Sequence, residues 1–309
     1  MTTIHARART RKDFMSLVAA RTRAPFFRLR AGLAAAAISF CVLSAAVAQT
    51  PAPPPGPRFP RTKTSVRLIG CATATRTSSL QIDRRDPTRI QGFGRMIDLP
   101  LKPAIKKAVS ADCAELRRQF GVGAPLYFVD EETSPNAVAI DYPLDKRFPD
   151  GTVLFGKKLF EREYAKGRFG IPTTIAHEFA HIMQYKRKFP AMATKWQELH
   201  ADFLAGWFTA HRARFWPDNS DPNVSARTVY ESGDYQFNNP QHHGTREERF
   251  AAFRAGYKLN EEDVADAAYV YTKGLEYIQS RGARIERANR LGSTGDPDIP
   301  FYRNRAPKP

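Results

Sequence analysis

The sequence predicts an α+β fold, with a small sheet, a helix carrying a His-Glu-x-x-His run, a following helix with further candidate ligands, and a mostly helical C-terminal part. Three observations lead there. Short β-prone runs occur at residues 125–130, 137–142 and 152–155. Two segments, 171–185 and 194–211, have the composition and spacing of buried helices. From Thr245 onward the apolar residues recur at helical intervals, and no internal repeat is present.

The chain has 309 residues and opens with a basic leader whose first thirty residues contain one acid, Asp13. Residues 31–48 are uncharged and mostly apolar, and end in Ala46-Val47-Ala48, an A-x-A-type cleavage site. Residues 1–48 therefore read as a secretory signal peptide, or as a signal anchor if the segment is retained. Either implies an extracytoplasmic protein, periplasmic or secreted. Residues 49–65 form a Pro-rich linker without apolar periodicity. A single domain is expected over 66–282, and a flexible Arg-, Gly- and Pro-rich tail over 283–309. Cys41 lies in the leader, leaving Cys71 and Cys113, which in an oxidising compartment can form one disulfide or stay as two buried thiols.

Within the domain, residues 103–120 and 157–166 carry helical patterns that flank the three β-prone runs. In the next helix, His177 and His181 are four residues apart, so their imidazoles project from one face and can grip a single ion. Glu178 lies beside them, where a carboxylate can take a proton from metal-activated water. Apart from Glu178 nothing charged occurs from 171 to 185, and a charge on so apolar a helix needs a task. Pro172 and Pro190 bracket this helix.

Along 194–211, Trp196, Leu199, Phe203, Leu204, Trp207 and Phe208 recur at helical spacing, which puts Glu198 and Asp202 one turn apart on one face. Glu198 is the expected third zinc ligand, completing a two-His-one-Glu set. Asp202 is placed to accept the spare N–H of a ligand imidazole. His200 is a rival ligand but points about 200° from Glu198 around the helix axis. Ala201 and Gly206 are small enough for the two helices to approach closely.

His177 to His181, followed by Glu198-x-x-Ala201-Asp202, resembles the gluzincin metallopeptidases, and among them the bacterial neutral zinc metallopeptidases and the prenyl-protein-endopeptidase-like family. The segments 134–140 and 151–156 are similar to the strands those families carry before the zinc helix. His243-Gly244-Thr245 followed by Arg249, Phe253 and Gly256 is similar to a downstream segment of the neutral zinc metallopeptidases. The resemblance implies a zincin-like fold and hydrolysis of a protein or peptide substrate with a zinc cofactor. It makes His243 the candidate catalytic donor to the oxyanion, with a Tyr or a plain polar turn at His242-His243 as the other readings. It also puts Asn136 near a substrate-binding edge strand, or in a simple turn. No third His follows in a His-x-x-Gly-x-x-His arrangement, so a metzincin is excluded. An envelope amidase acting on peptidoglycan, or a zincin-like binding protein without turnover, are the alternatives in function.

Downstream, Thr245 and Glu248 form a Thr-x-x-Glu capping box, and Asn260 reads as the cap of a last helix reaching residue 280. The whole chain carries a formal charge of +17, and residues 1–48, with eight basic residues and one acid, account for +7, leaving +10. Such a balance favours association with an anionic cell envelope or simple solubility. The Arg and Lys are scattered, and no nucleic-acid-binding module is present.

Overall fold

In the computed structural model the described residues are 65–69, 79–82, 86, 88–132, 134–216, 221–261 and 266–290. The basic leader, nearly all of the Pro-rich stretch, Cys71 and the last residues of the tail lie outside them. Ser65, the final residue of the expected linker, opens the first strand.

The fold is α+β, as expected. Seven strands precede and interleave with the first two of seven helices among the described residues. β1 (Ser65–Ile69), β2 (Ser79–Ile82), β3 (Arg89–Gln91) and β4 (Gly94–Ile97) form an antiparallel meander. After α1 (Pro103–Phe120) come β5 (Leu126–Glu131), β6 (Ala137–Ile140) and β7 (Thr152–Gly156). β5 pairs with β4 on one side and, in parallel, with β7 on the other. β6 then joins β7 to β1, through Leu68 opposite Ile140, and closes a small barrel. The sequence expectation was a small sheet. Its closure depends on β1 to β4, whose short, charged segments give no strong period.

β6 and β7 are buried on both faces, which explains their nearly continuous apolar sequence. Ala137, Ala139, Val153 and Phe155 belong to the core shared with the helices. Val138, Ile140 and Leu154 alternate with them and pack with Ile90, Phe93 and Val129.

β7 leads straight into α2 (Lys157–Ala165). The turn is held by Glu131 of β5, whose buried carboxylate accepts from the main-chain N–H groups of Lys158 (2.8 Å) and Leu159 (3.1 Å). These are two donors that a helix N-terminus leaves without an internal partner. α3 (Gly170–Lys186) lies against β6 and β7, and α4 (Thr194–Phe215) against α3. Both are buried around most of their circumference, so neither shows a strong amphipathic stripe. α1 is tied to the far end of α4 by Arg212, which donates from Nε to Asp112 Oδ1 at 2.6 Å. α5 (Pro222–Glu231) starts at Asp221, whose side chain accepts from the N–H groups of Asn223 and Val224. The Asp221-Pro222 pair is a helix-start signal that the sequence reading did not use.

α6 (Arg246–Glu261) packs along α4 more extensively than any other pair of elements. The expected capping box is present: Thr245 Oγ1 accepts from Glu248 N at 3.2 Å, and Glu248 Oε2 accepts from Thr245 N at 2.9 Å. Asn260 does not cap the last helix. It lies near the end of α6, and α7 (Ala267–Arg290) starts later, behind Asp266, whose side chain accepts from Ala268 N at 2.8 Å. α7 runs past Gly282 to Arg290, so the start expected for a flexible tail is still helical.

The crossing of α4 and α6 is set by glycines. A Cβ on Gly206 would stand 2.0 Å from the carbonyl oxygen of Phe253, and one on Gly256 would stand 1.8 Å from that of Phe203. Each helix therefore presses its main chain into the gap left by the other. Gly206→Ala and Gly256→Ala should each force the helices apart and lower stability by at least about 2 kcal/mol, measurable by denaturant unfolding. Thr245→Ala should cost only about 1 kcal/mol, the usual worth of a cap.

Candidate metal centre

α3 turns His177, Glu178 and His181 towards α4, and α4 turns Glu198 and Asp202 back. All five side chains are buried, the most exposed being His177 at 3%. The two Nε2 atoms are 3.0 Å apart. Glu198 Oε2 is 3.2 Å from that of His177, and Oε1 is 3.4 Å from that of His181. His177, His181 and Glu198 are thus the one set of three metal-binding donors gathered among the described residues.

Each outward nitrogen has an acceptor close by. His177 Nδ1 stands 2.9 Å from Asp202 Oδ1. His181 Nδ1 stands 2.8 Å from Gln184 Oε1. Both partners are acceptors, so in neutral rings both Nδ1 atoms carry the proton and both Nε2 atoms present lone pairs. Three acceptors then face one another, with the Arg249 guanidinium at their edge, its Nη2 3.5 Å from His177 Nε2 and 3.3 Å from Glu198 Oε2, and a cation among them would satisfy all three at once. The spacing suits zinc in particular, because tetrahedral bonds of about 2.05 Å place donors about 3.3 Å apart.

Glu178 is fully buried, and neither carboxylate oxygen has a hydrogen-bond partner. Burial pushes its carboxyl up to about 7, against the opposing pull of His177 and His181. A buried carboxylate left without partners is uncommon and points to a task. Asp202 and Glu198 go the other way. Burial would raise Asp202, but Arg249 and His177 outweigh it and hold the carboxyl low. Glu198 is held well below the carboxylate range by His181 and His177, again against burial.

Arg249, on the first turn of α6, lies in the downstream segment of the resemblance, but sequence reasoning gave it no role in the site. It is 1% exposed. Its Nε donates to Asp202 Oδ2 at 2.7 Å and its Nη2 to Asp202 Oδ1 at 2.9 Å, while Nη2 also lies 3.3 Å from Glu198 Oε2. The residue follows the capping box by one position, and that box fixes where α6 starts. A cation so early in a helix whose other face is apolar was the available signal.

The remaining candidates divide. Asn136 lines a cavity of about 100 Å³ together with Thr174, His177, Asp202, Ser232 and Arg249, so it does lie by the donors. His243 instead binds Asp234, which accepts from its main-chain N–H at 3.1 Å and lies 3.4 Å from Nδ1. Asp234 Oδ1 also stands 2.5 Å from Nδ1 of His242. No described contact joins the His243 ring to the donors, and the polar-turn reading describes its surroundings. His200 is not a ligand. Its Nδ1 faces Gln184 and its Nε2 faces the carbonyl of Tyr271. Burial lowers its pKa to about 4 and keeps it neutral. Cys113 is a buried free thiol pushed up to about 12 by burial.

No family model matches the chain, and neither does any curated protein or solved structure. The donor geometry therefore stands without support from a relative.

Zinc content of purified protein checks the site. The parent should hold one zinc per chain, and His181→Ala and Glu198→Ala should each lose it at low free metal. Asp202→Ala should weaken zinc binding about 10- to 100-fold, as removal of a partner to a ligand imidazole does.

Proposed function

We propose that the protein is an exported zinc-dependent metallopeptidase, with a zincin-like arrangement of the gluzincin type, that cleaves peptide bonds in a protein or peptide substrate. One observation carries the reading: three buried acceptors, His177 and His181 of α3 and Glu198 of α4, converge at the edge lengths of a zinc tetrahedron beside a Glu178 whose carboxylate has no hydrogen-bond partner. Zinc held by His177, His181 and Glu198 would supply Lewis acidity, making a water more acidic and polarising a substrate carbonyl.

The side chains supply the rest. Glu178 accepts the proton of the attacking water and returns it to the leaving amine. Its carboxyl, raised by burial, is matched to that exchange near neutral pH. Asp202 and Gln184 hold the two imidazoles with their Nδ1–H groups outward. Arg249 offsets the buried negative charge of Asp202 and Glu198. In this reading the substrate would approach through the small cavity that His177 lines together with Asn136 and Arg249. His243 serves as an oxyanion donor in this reading only if its loop brings the ring to the cavity.

Casein and peptidoglycan offered to the mature protein, with and without chelator, separate a peptidase from an envelope amidase and from a protein without turnover. Peptide cleavage abolished by chelator and restored by zinc is the expected result. Glu178→Gln keeps the size of the side chain but cannot accept the proton. It should retain zinc and parental thermal stability while hydrolysis falls at least about 10²-fold. Cleavage by the Gln variant at the parental rate would remove Glu178 from the mechanism.

A further inference from the structure

We propose that Gln184 and His200 form a positioning relay that fixes which nitrogen of His181 carries its proton, anchored on the main-chain carbonyl of Tyr271 in α7. The inference rests on the metal reading above and extends it from the donors to the C-terminal helix.

Hydrogen-bond polarity fixes each member of the relay in turn. The amide of Gln184 has three neighbours: His181 Nδ1 at 2.8 Å from Oε1, and the carbonyl of Gln197 at 2.8 Å and His200 Nδ1 at 3.0 Å from Nε2. The carbonyl of Gln197 can only accept, so the amide nitrogen must face it. His200 gives the same answer independently. Its Nε2 lies 3.0 Å from Tyr271 O, which can only accept, so Nε2 donates there and Nδ1 is left to accept from Gln184. With both amide hydrogens spent, Oε1 faces His181 and requires a donor. His181 must therefore carry its proton on Nδ1, and its Nε2 keeps the lone pair for the metal. Flipping the amide would set carbonyl against carbonyl at Gln197.

Packing holds the relay in place. Gln184 and His200 are both fully buried. A Cβ on Gly274 would stand 2.8 Å from Cδ2 of His200, so α7 can approach this ring only with a glycine there. The His200 ring packs against those of Phe189, at 5.1 Å, and Tyr271, at 4.7 Å.

The test uses the full-length chain with its histidines ¹⁵N-labelled, seven in all. Chelator-stripped parent should show His181 in the Nδ1–H form. In Gln184→Leu His181 should shift towards the Nε2–H form, and in His200→Phe, which keeps a ring against Phe189 and Tyr271 but leaves the amide fixed by the Gln197 carbonyl alone, the shift should be in the same direction and smaller. Zinc affinity should fall with it, about 10- to 100-fold for Gln184→Leu, and the absorption spectrum of the cobalt-substituted protein should change. Parental tautomer and affinity in both variants overturn the relay, and weaker zinc binding with an unchanged tautomer does so too, because packing alone then accounts for it. His181→Ala measured alongside separates the two readings. If it loses zinc while the relay variants behave as parent, the metal centre stands and the relay falls. If the parent itself binds no zinc, both fall.

Discussion

The close crossing of α4 and α6 is the constraint on which the site depends. Arg249 reaches Asp202 and Glu198 only because Gly206 and Gly256 let each helix sit on the other's main chain. A guanidinium fork bonded at 2.7 and 2.9 Å tolerates little displacement, and a buried carboxylate that loses its partner is costly. The packing of two helices and the charge balance of the centre are therefore one problem. A methyl group at the crossing would be felt as electrostatics at His177, through Asp202.

The charge balance itself has a direction. Glu198 and Asp202 contribute two negative charges and Arg249 one positive, a net −1 within a volume closed to solvent, before Glu178 is counted. Protonated His177 and His181 would supply the missing charge, but as metal ligands both rings must be neutral and then add only lone pairs. Such a cluster is under-compensated, and a bound dication would bring it to +1 and draw the proton off Glu178. The burial that raises the Glu178 carboxyl thus sets the state from which a cation can shift it.

The donors were legible in the sequence because helical spacing is short-range: His177 with His181, and Glu198 with Asp202, need only the geometry of one turn. The core strands β6 and β7 were legible for a similar reason, since burial on both faces leaves a plainly apolar run. The partners that orient the donors were not. Gln184 is a polar residue on the donor face, and its amide acquires meaning only from the Gln197 carbonyl and from α7. Arg249 is distant in sequence and becomes part of the site through a helix crossing. The barrel closed through β1 to β4, whose pairing partners lie far along the chain, and the last helix was started too early because Asn260 and Asp266 are both plausible caps.

His177, His181, Glu198 and Asp202 all sit on α3 and α4, neighbours joined by a short connection. Closing so small a loop costs little chain entropy, whereas bringing Leu68 to Ile140 across the barrel seam, or Arg249 to Asp202, must gather remote parts of the chain. The order of assembly is biased accordingly. A helical hairpin can collect the donors for an ion while the barrel is still open, and the arginine that completes the charge balance docks afterwards as the seal.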